Sequence, residues 1–196
     1  MNKHGVEFLP SITTWEDIKK FISSNRESLE YLKQYQGLDH FLGSGQYGKV
    51  FKVKGEELAL KVTTDTYELE ISEKLKGHKL ATFIEVYFVK KLESGHGIKV
   101  QELLYPLNST QEKFVQEVFD IHFFETGELE KTAQVTYENI IKVLKNHENK
   151  APAAFLLQVT EDAKKIGLSA EQLSLLDLNP GNFLKDKQGN LKICDL

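Results

Sequence analysis

The chain has 196 residues, 40% of them hydrophobic and 28% charged, with a formal net charge of −4. That length can bury a sizeable core and suits one domain of two lobes, while an acidic balance argues against binding along a nucleic-acid backbone, which calls for a basic excess or patch. A single cysteine, Cys194, excludes an internal disulfide and reads as a small buried apolar residue beside Asp195. The six histidines, His40, His78 and His122 among them, show no metal-ligand spacing with it or with one another.

The N-terminus lacks the continuous apolar core of a secretory signal, and no run approaches about 18 consecutive apolar residues. A cytoplasmic protein without membrane insertion is therefore expected. Thr13 and Glu16 form a capping-box pattern ahead of Trp15, Ile18, Phe21 and Ile22 at helical spacing; Ser24 and Glu27 restart it before Leu29, Leu32 and Tyr35. Two short helices or one bent helix result. Their apolar stripe is expected to pack on the following sheet or beside the helix after it.

Gly43-Ser44-Gly45-Gln46-Tyr47-Gly48-Lys49-Val50 follows the pattern G-x-G-x-x-G-x-V between two β-like runs. Glycines at this spacing let a backbone approach phosphates closely, and the flanking strands favour a flap over a nucleotide rather than the helix-opening dinucleotide motif. An ordinary glycine-rich hairpin fits the same residues. Leu58 to Thr63 alternates into a strand with one lysine, Lys61, among apolar neighbours, an arrangement that can aim a cation at phosphates; an edge-strand lysine is the plainer reading. In the helical run Tyr67 to Leu75, Glu68 shares the phase of Ile71 and Leu75 and so can pair with Lys61, with Glu70 and Glu73 as the competing carboxylates.

Further along, Val100 to Leu104 reads as the end of a strand. Helices are expected from Ser109 to about Phe124, from Glu138 to His147 and from Pro152 to Ile166, the last closed by Gly167, with a loop over Gly127 to Thr132 and a strand over Leu173 to Leu176. Then comes Asp177-Leu178-Asn179-Pro180-Gly181-Asn182. A tight Pro-Gly loop can set Asp177 near a substrate hydroxyl and the Asn182 amide oxygen on magnesium, which takes hard oxygen ligands. Two short apolar runs around a polar turn at Gly189 form a hairpin able to bring Asn182 and Asp195 to one edge, Asp195 supplying a second metal contact.

These ordered motifs resemble the protein kinase-like superfamily, over Phe41 to Leu196. The resemblance implies an α+β, two-lobed fold: a helical extension at 1–37, an N-lobe with an antiparallel sheet and a helix at 38–104, and a reduced, mainly helical C-lobe at 105–196. It implies ATP and Mg2+ as cofactors. Gly43, Ser44, Gly45 and Gly48 would cover the phosphates and Lys61, held by Glu68, would orient them. Val50, Ala59 and Leu184 would sandwich the base, Gln101 would stand as gatekeeper, and the backbone of Glu102 and Leu104 would bind adenine. Asp177 would be the base, with Asn182 and Asp195 on the metal. The chain also departs from the common protein Ser/Thr kinases. Leu175 and Leu176 replace a histidine and an arginine, so switching by a phosphate held on that arginine is not expected. Asn179 replaces a lysine and Leu196 a phenylalanine, and the activation loop and later helical subdomain of those kinases are expected to be missing. The resulting expectation is a minimal, C-terminally truncated kinase like those of phages or bacterial effectors, acting on a protein. A nucleotide-binding pseudokinase that binds a protein partner and a small-molecule kinase are the alternatives. No nucleic-acid partner is expected.

Overall fold

A computed structural model describes residues 12–45, 47–93, 95–132 and 135–194. The architecture is α+β. The described residues form seven α-helices, a five-stranded antiparallel sheet and a separate two-stranded antiparallel ribbon. No helix among them is long and apolar enough to cross a membrane. The chain divides into two compact units, one of residues up to Glu73 with Val86–Leu103, the other of Lys74–Glu85 with Leu104–Leu196.

The first unit opens with α1 (Trp15–Phe21) and α2 (Arg26–Leu32). The capping box of α1 lies one residue beyond the expected one: Thr14 Oγ1 accepts from Asp17 N at 3.1 Å, and Asp17 Oδ2 accepts from the Thr14 and Thr13 amides at 2.9 and 3.0 Å. Asn25, not Ser24, caps α2, its Oδ1 accepting from Ser28 N at 2.9 Å. Side chains that can cap stand side by side at both starts, and the choice falls on the phase that turns Ile18, Ile22 and Leu32 inward. The sheet has the order β1-β2-β3-β5-β4, with β1 (Leu38–Ser44), β2 (Gly48–Val53), β3 (Leu58–Thr63), β4 (Val86–Lys91) and β5 (Gly97–Glu102).

Strand alternation gives this sheet two different faces. On one, Phe51, Leu60 and Val100 stand in cross-strand register and form, with Val53, Val62, Ile98, Phe88, Ile12, Ile18, Ile22 and Leu32, a single apolar cluster. The N-terminal helices thus complete the core of the sheet. On the other face Val50, Lys61 and Lys99 are in register, and α3 (Thr66–Leu75) meets that face through Glu68. It also packs against the start of β5 so closely that a Cβ on Gly97 would fall onto the Leu69 side chain.

The second unit holds α4 (Ser109–Thr132), α5 (Tyr137–Asn146), α6 (Lys150–Lys165) and α7 (Ala170–Ser174), followed by the ribbon β6 (Phe183–Lys185) and β7 (Leu191–Ile193). Two expectations are corrected here. Gly127 to Thr132 is not a loop but the last part of α4, because the leucine, glutamates and lysine around Gly127 are good helix formers and one interior glycine costs only about 1 kcal/mol. Leu173 to Leu176 is not a strand. Ser169 and Gln172 form a capping box that starts α7, and a short leucine-rich run has no strand-specific period to oppose it. As expected, α6 ends at Gly167: with φ at 68°, this residue lets Leu168 N reach Ala163 O at 3.0 Å while its own N–H donates to Lys164 O at 3.0 Å, a Schellman closure.

Candidate functional site

Lys61 lies in β3, and its Nζ stands 2.7 Å from Glu68 Oε1 of α3, both side chains almost wholly buried. Of the three competing glutamates, Glu68 makes this pair. Thr63 Oγ1 donates to the other carboxylate oxygen at 2.9 Å, and Asp65 Oδ1 accepts from Glu68 N at 3.1 Å, capping the helix start. Burial pushes the Glu68 carboxyl up, but Lys99 and then Lys61 outweigh it and hold the group at about 2, against an ordinary value of 4.5. Lys99 was not legible as part of this cluster: its Nζ is 2.6 Å from the same Oε1, with none of its side chain exposed.

The glycine hairpin closes by Gly45 N donating to Gly48 O at 3.0 Å, and Thr64 N fastens it to Tyr47 O at 2.8 Å. Gly48 is required sterically. A Cβ there would stand 2.8 Å from Lys61 Cε and 2.9 Å from Val62 O, so the lysine passes directly beside glycine backbone. Gly43 and Gly45 face open space, Ser44 ends β1, and Gln46 lies outside the described residues. Val50 and Ala59 share the Lys61 face of the sheet, with Gln101 opposite Ala59. Gln101 is buried, and its Oε1 has no hydrogen-bond partner among the described residues. Glu102 ends β5 opposite Leu58, and Leu103 N donates to Glu57 O at 3.0 Å just before Leu104.

In the second unit, Leu176 and Leu178 are buried while Asp177 between them is exposed, so two leucine anchors present one carboxylate outward. Asp177 Oδ1 accepts from Asn179 N at 3.2 Å, and Asn182 Nδ2 donates to Asp177 O at 2.8 Å. With its nitrogen spent there, the Asn182 side chain has its oxygen left for a hard cation. Asn179 serves the loop itself, its Oδ1 accepting from Gly181 N at 3.1 Å as the 3₁₀ turn Pro180–Asn182 begins. His122 of α4 is a residue that sequence reasoning passed over. It is hydrogen-bonded to the backbone of Leu176 and Ser174, next to Asp177, and burial holds its imidazole down at about 4.

The β6–β7 ribbon is shaped by Asp186, whose Oδ1 accepts from Gln188 N at 2.9 Å and Asn190 N at 2.8 Å around Gly189, φ 90°. It is anchored where Ile193 N donates to Thr82 O at 2.7 Å and Ile84 N to Ile193 O at 3.1 Å. Thr82 is in turn gripped by the buried Asp162 of α6, which accepts from its N and Oγ1 at 3.0 Å each. Leu184 lies in β6. Cys194 is half-buried rather than buried; its N–H and thiol both donate to Asn182 O, at 2.9 and 3.2 Å. This pairing sets Asn182 opposite the residue before Asp195, which itself lies outside the described residues with Leu196. Among the described residues no group of three or more His, Cys, Asp or Glu side chains could hold a metal.

Comparison of the sequence with protein-family models and with curated proteins gives no match.

Proposed function

We propose that the chain is an ATP- and magnesium-dependent phosphotransferase of the protein kinase-like kind, acting on a serine or threonine hydroxyl of a protein. The observation that carries the reading is the buried Lys61–Glu68 ion pair beside Gly48. A lysine taken out of water, oriented by a carboxylate and passing along glycine backbone is arranged as a phosphate ligand rather than as a solvated strand cation. The exposed Asp177 held between buried leucines supports the same reading from the second unit.

In the proposed reaction the Lys61 ammonium binds the α- and β-phosphates, and the Gly43–Gly48 backbone covers them. By the resemblance to the kinase-like superfamily, Val50, Ala59 and Leu184 would enclose the base, with Gln101 as gatekeeper and the backbone of Glu102 and Leu104 on its edge. Asp177 accepts the proton of the acceptor hydroxyl. That oxygen forms a bond to the γ-phosphorus as the bond from the γ-phosphorus to the bridging oxygen breaks, and ADP leaves. Asn182 and Asp195 would hold magnesium, which when bound neutralises charge building on the phosphate oxygens. Few protein ligands suffice, since magnesium keeps several waters and substrate phosphates in its shell.

The test is transfer of γ-labelled phosphate from ATP, with magnesium, to the protein itself and to a protein mixture. Asp177→Asn should remove labelling, by a factor of about 10² or more, while ATP affinity is retained. Labelling that survives in this variant would overturn Asp177 as the base. Magnesium-dependent ATP binding without any labelling would favour a nucleotide-regulated binding module instead, and labelling of hydroxylated metabolites but not proteins would favour a small-molecule kinase.

A further inference from the structure

Lys99 stands in β5 directly across from Lys61 in β3, and both ammonium groups lie on one oxygen, Glu68 Oε1, at 2.6 and 2.7 Å. Two cations on one buried carboxylate leave the cluster with a surplus positive charge. A strand pair could have satisfied Glu68 with Lys61 alone, and a second fully buried lysine is costly unless something repays it. The Lys99 ammonium lies against Glu68 Oε1 at the distance of a close ion pair, and its charge is one of those that hold the Glu68 carboxyl down.

The two lysines differ in what they can do. Lys61 keeps 8% of its side-chain surface exposed and runs beside Gly48, whereas Lys99 has 0% exposed. A ligand phosphate can therefore recruit Lys61, and when its ammonium turns to that anion Glu68 would be left with the Thr63 hydroxyl and no counter-ion were Lys99 not there.

We propose that Lys99 is a positioning residue of a polyphosphate site. It supplies the surplus charge that makes the cluster attract an anion, and it holds Glu68 so that Lys61 is released to the phosphates at little cost. The inference rests on the nucleotide reading for the identity of the ligand, but its physical content is the affinity for a polyphosphate chain.

The experiment is calorimetric titration of the full chain with inorganic tripolyphosphate, with ATP and with adenosine, for wild type, Lys99→Met, Glu68→Gln and the double variant. The formal charge of the cluster is +1, 0, +2 and +1 in that order. Lys99→Met should weaken tripolyphosphate and ATP roughly ten- to thirtyfold, as expected for one unit charge at several ångströms in a partly screened site, and leave adenosine unchanged. The double variant should return to within about threefold of wild type, since removing the competing carboxylate restores the net charge and frees Lys61. A double variant as weak as Lys99→Met, or a Lys99→Met variant that binds polyphosphate like wild type, would overturn the proposal. Should Lys99→Met fail to fold, Glu68→Gln must still bind tripolyphosphate more tightly than the double variant, and equal affinities would overturn it. Tripolyphosphate binding that depends on Lys99, with no gain for ATP, would uphold this site and remove the kinase reading. ATP binding indifferent to Lys99 would do the reverse, and a wild type that binds neither ligand would overturn both.

Discussion

Two ammonium groups and the Thr63 hydroxyl converge on the buried Glu68 carboxylate. Its carboxyl is held at about 2 in the folded protein against an ordinary 4.5. A depressed carboxyl stabilises the fold above the unfolded value and ceases to do so as the pH falls through the folded one. The contribution of Glu68, on the order of 3 kcal/mol, should accordingly be complete above about pH 4.5 and vanish towards pH 2. Urea titrations across this window should show the loss in wild type, and Glu68→Gln should lack that component. At neutral pH, Glu68→Ala should cost about 3–5 kcal/mol by leaving Lys99 buried without a counter-ion, whereas Lys61→Ala should cost less because Glu68 keeps Lys99. Equal losses would mean that Lys99 does not compensate. Glu68 was legible from its helical phase beside Ile71 and Leu75. Lys99 was not, because nothing along Gly97-Ile98-Lys99-Val100 reveals which strand it will face, and cross-strand register is set by tertiary packing.

The elements that follow a strong period were the readable ones: the two N-terminal helices, the strand holding Lys61, α3, α6 with its Gly167 closure, and the ribbon turning at Gly189. The failures share a cause. Gly127 and the short run Leu173 to Leu176 are places where a local signal is weak, and there the neighbouring helix formers or the Ser169–Gln172 cap decided the outcome. Gly97 belongs to neither group, since its need arises only when α3 lies on β5. Gly97→Ala should therefore push Leu69 and with it the α3 turn that bears Glu68. The expected cost is about 1–3 kcal/mol of stability, together with weaker ATP binding. Leu69→Ala alone opens a cavity and should cost about 2–5 kcal/mol, yet the pair should lose less than the sum, because the new methyl enters the space vacated. Strict additivity in denaturant titrations would show that α3 is not fitted to β5 through this contact.

At the scale of the molecule, each unit has its own means of presenting chemistry: the first a sheet with a charged cluster on one face and an apolar core on the other, the second an aspartate loop set between helices and a ribbon. The core of the first unit is shared by the sheet and the N-terminal helices, so the extension is part of the fold that supports Lys61, Glu68 and Lys99. Trp15, the one tryptophan in the sequence, packs against that core and also lies against Gly37, whose φ of 135° leaves little choice of residue. Its fluorescence consequently reports the unfolding of this unit. Ile22→Ala, which truncates a fully buried side chain between helix and sheet, should lower the stability read at Trp15 by about 2–5 kcal/mol. A ligand held by the charged face stabilises the same unit from its other side, so ATP at a hundred times its dissociation constant should raise that stability by about 2.7 kcal/mol in wild type and Ile22→Ala alike. If ATP moved the Trp15 transition in neither protein while still binding, its site would have to be sought away from the Lys61 face; if Ile22→Ala left the transition in place, the helices would be an appendage rather than half of the core.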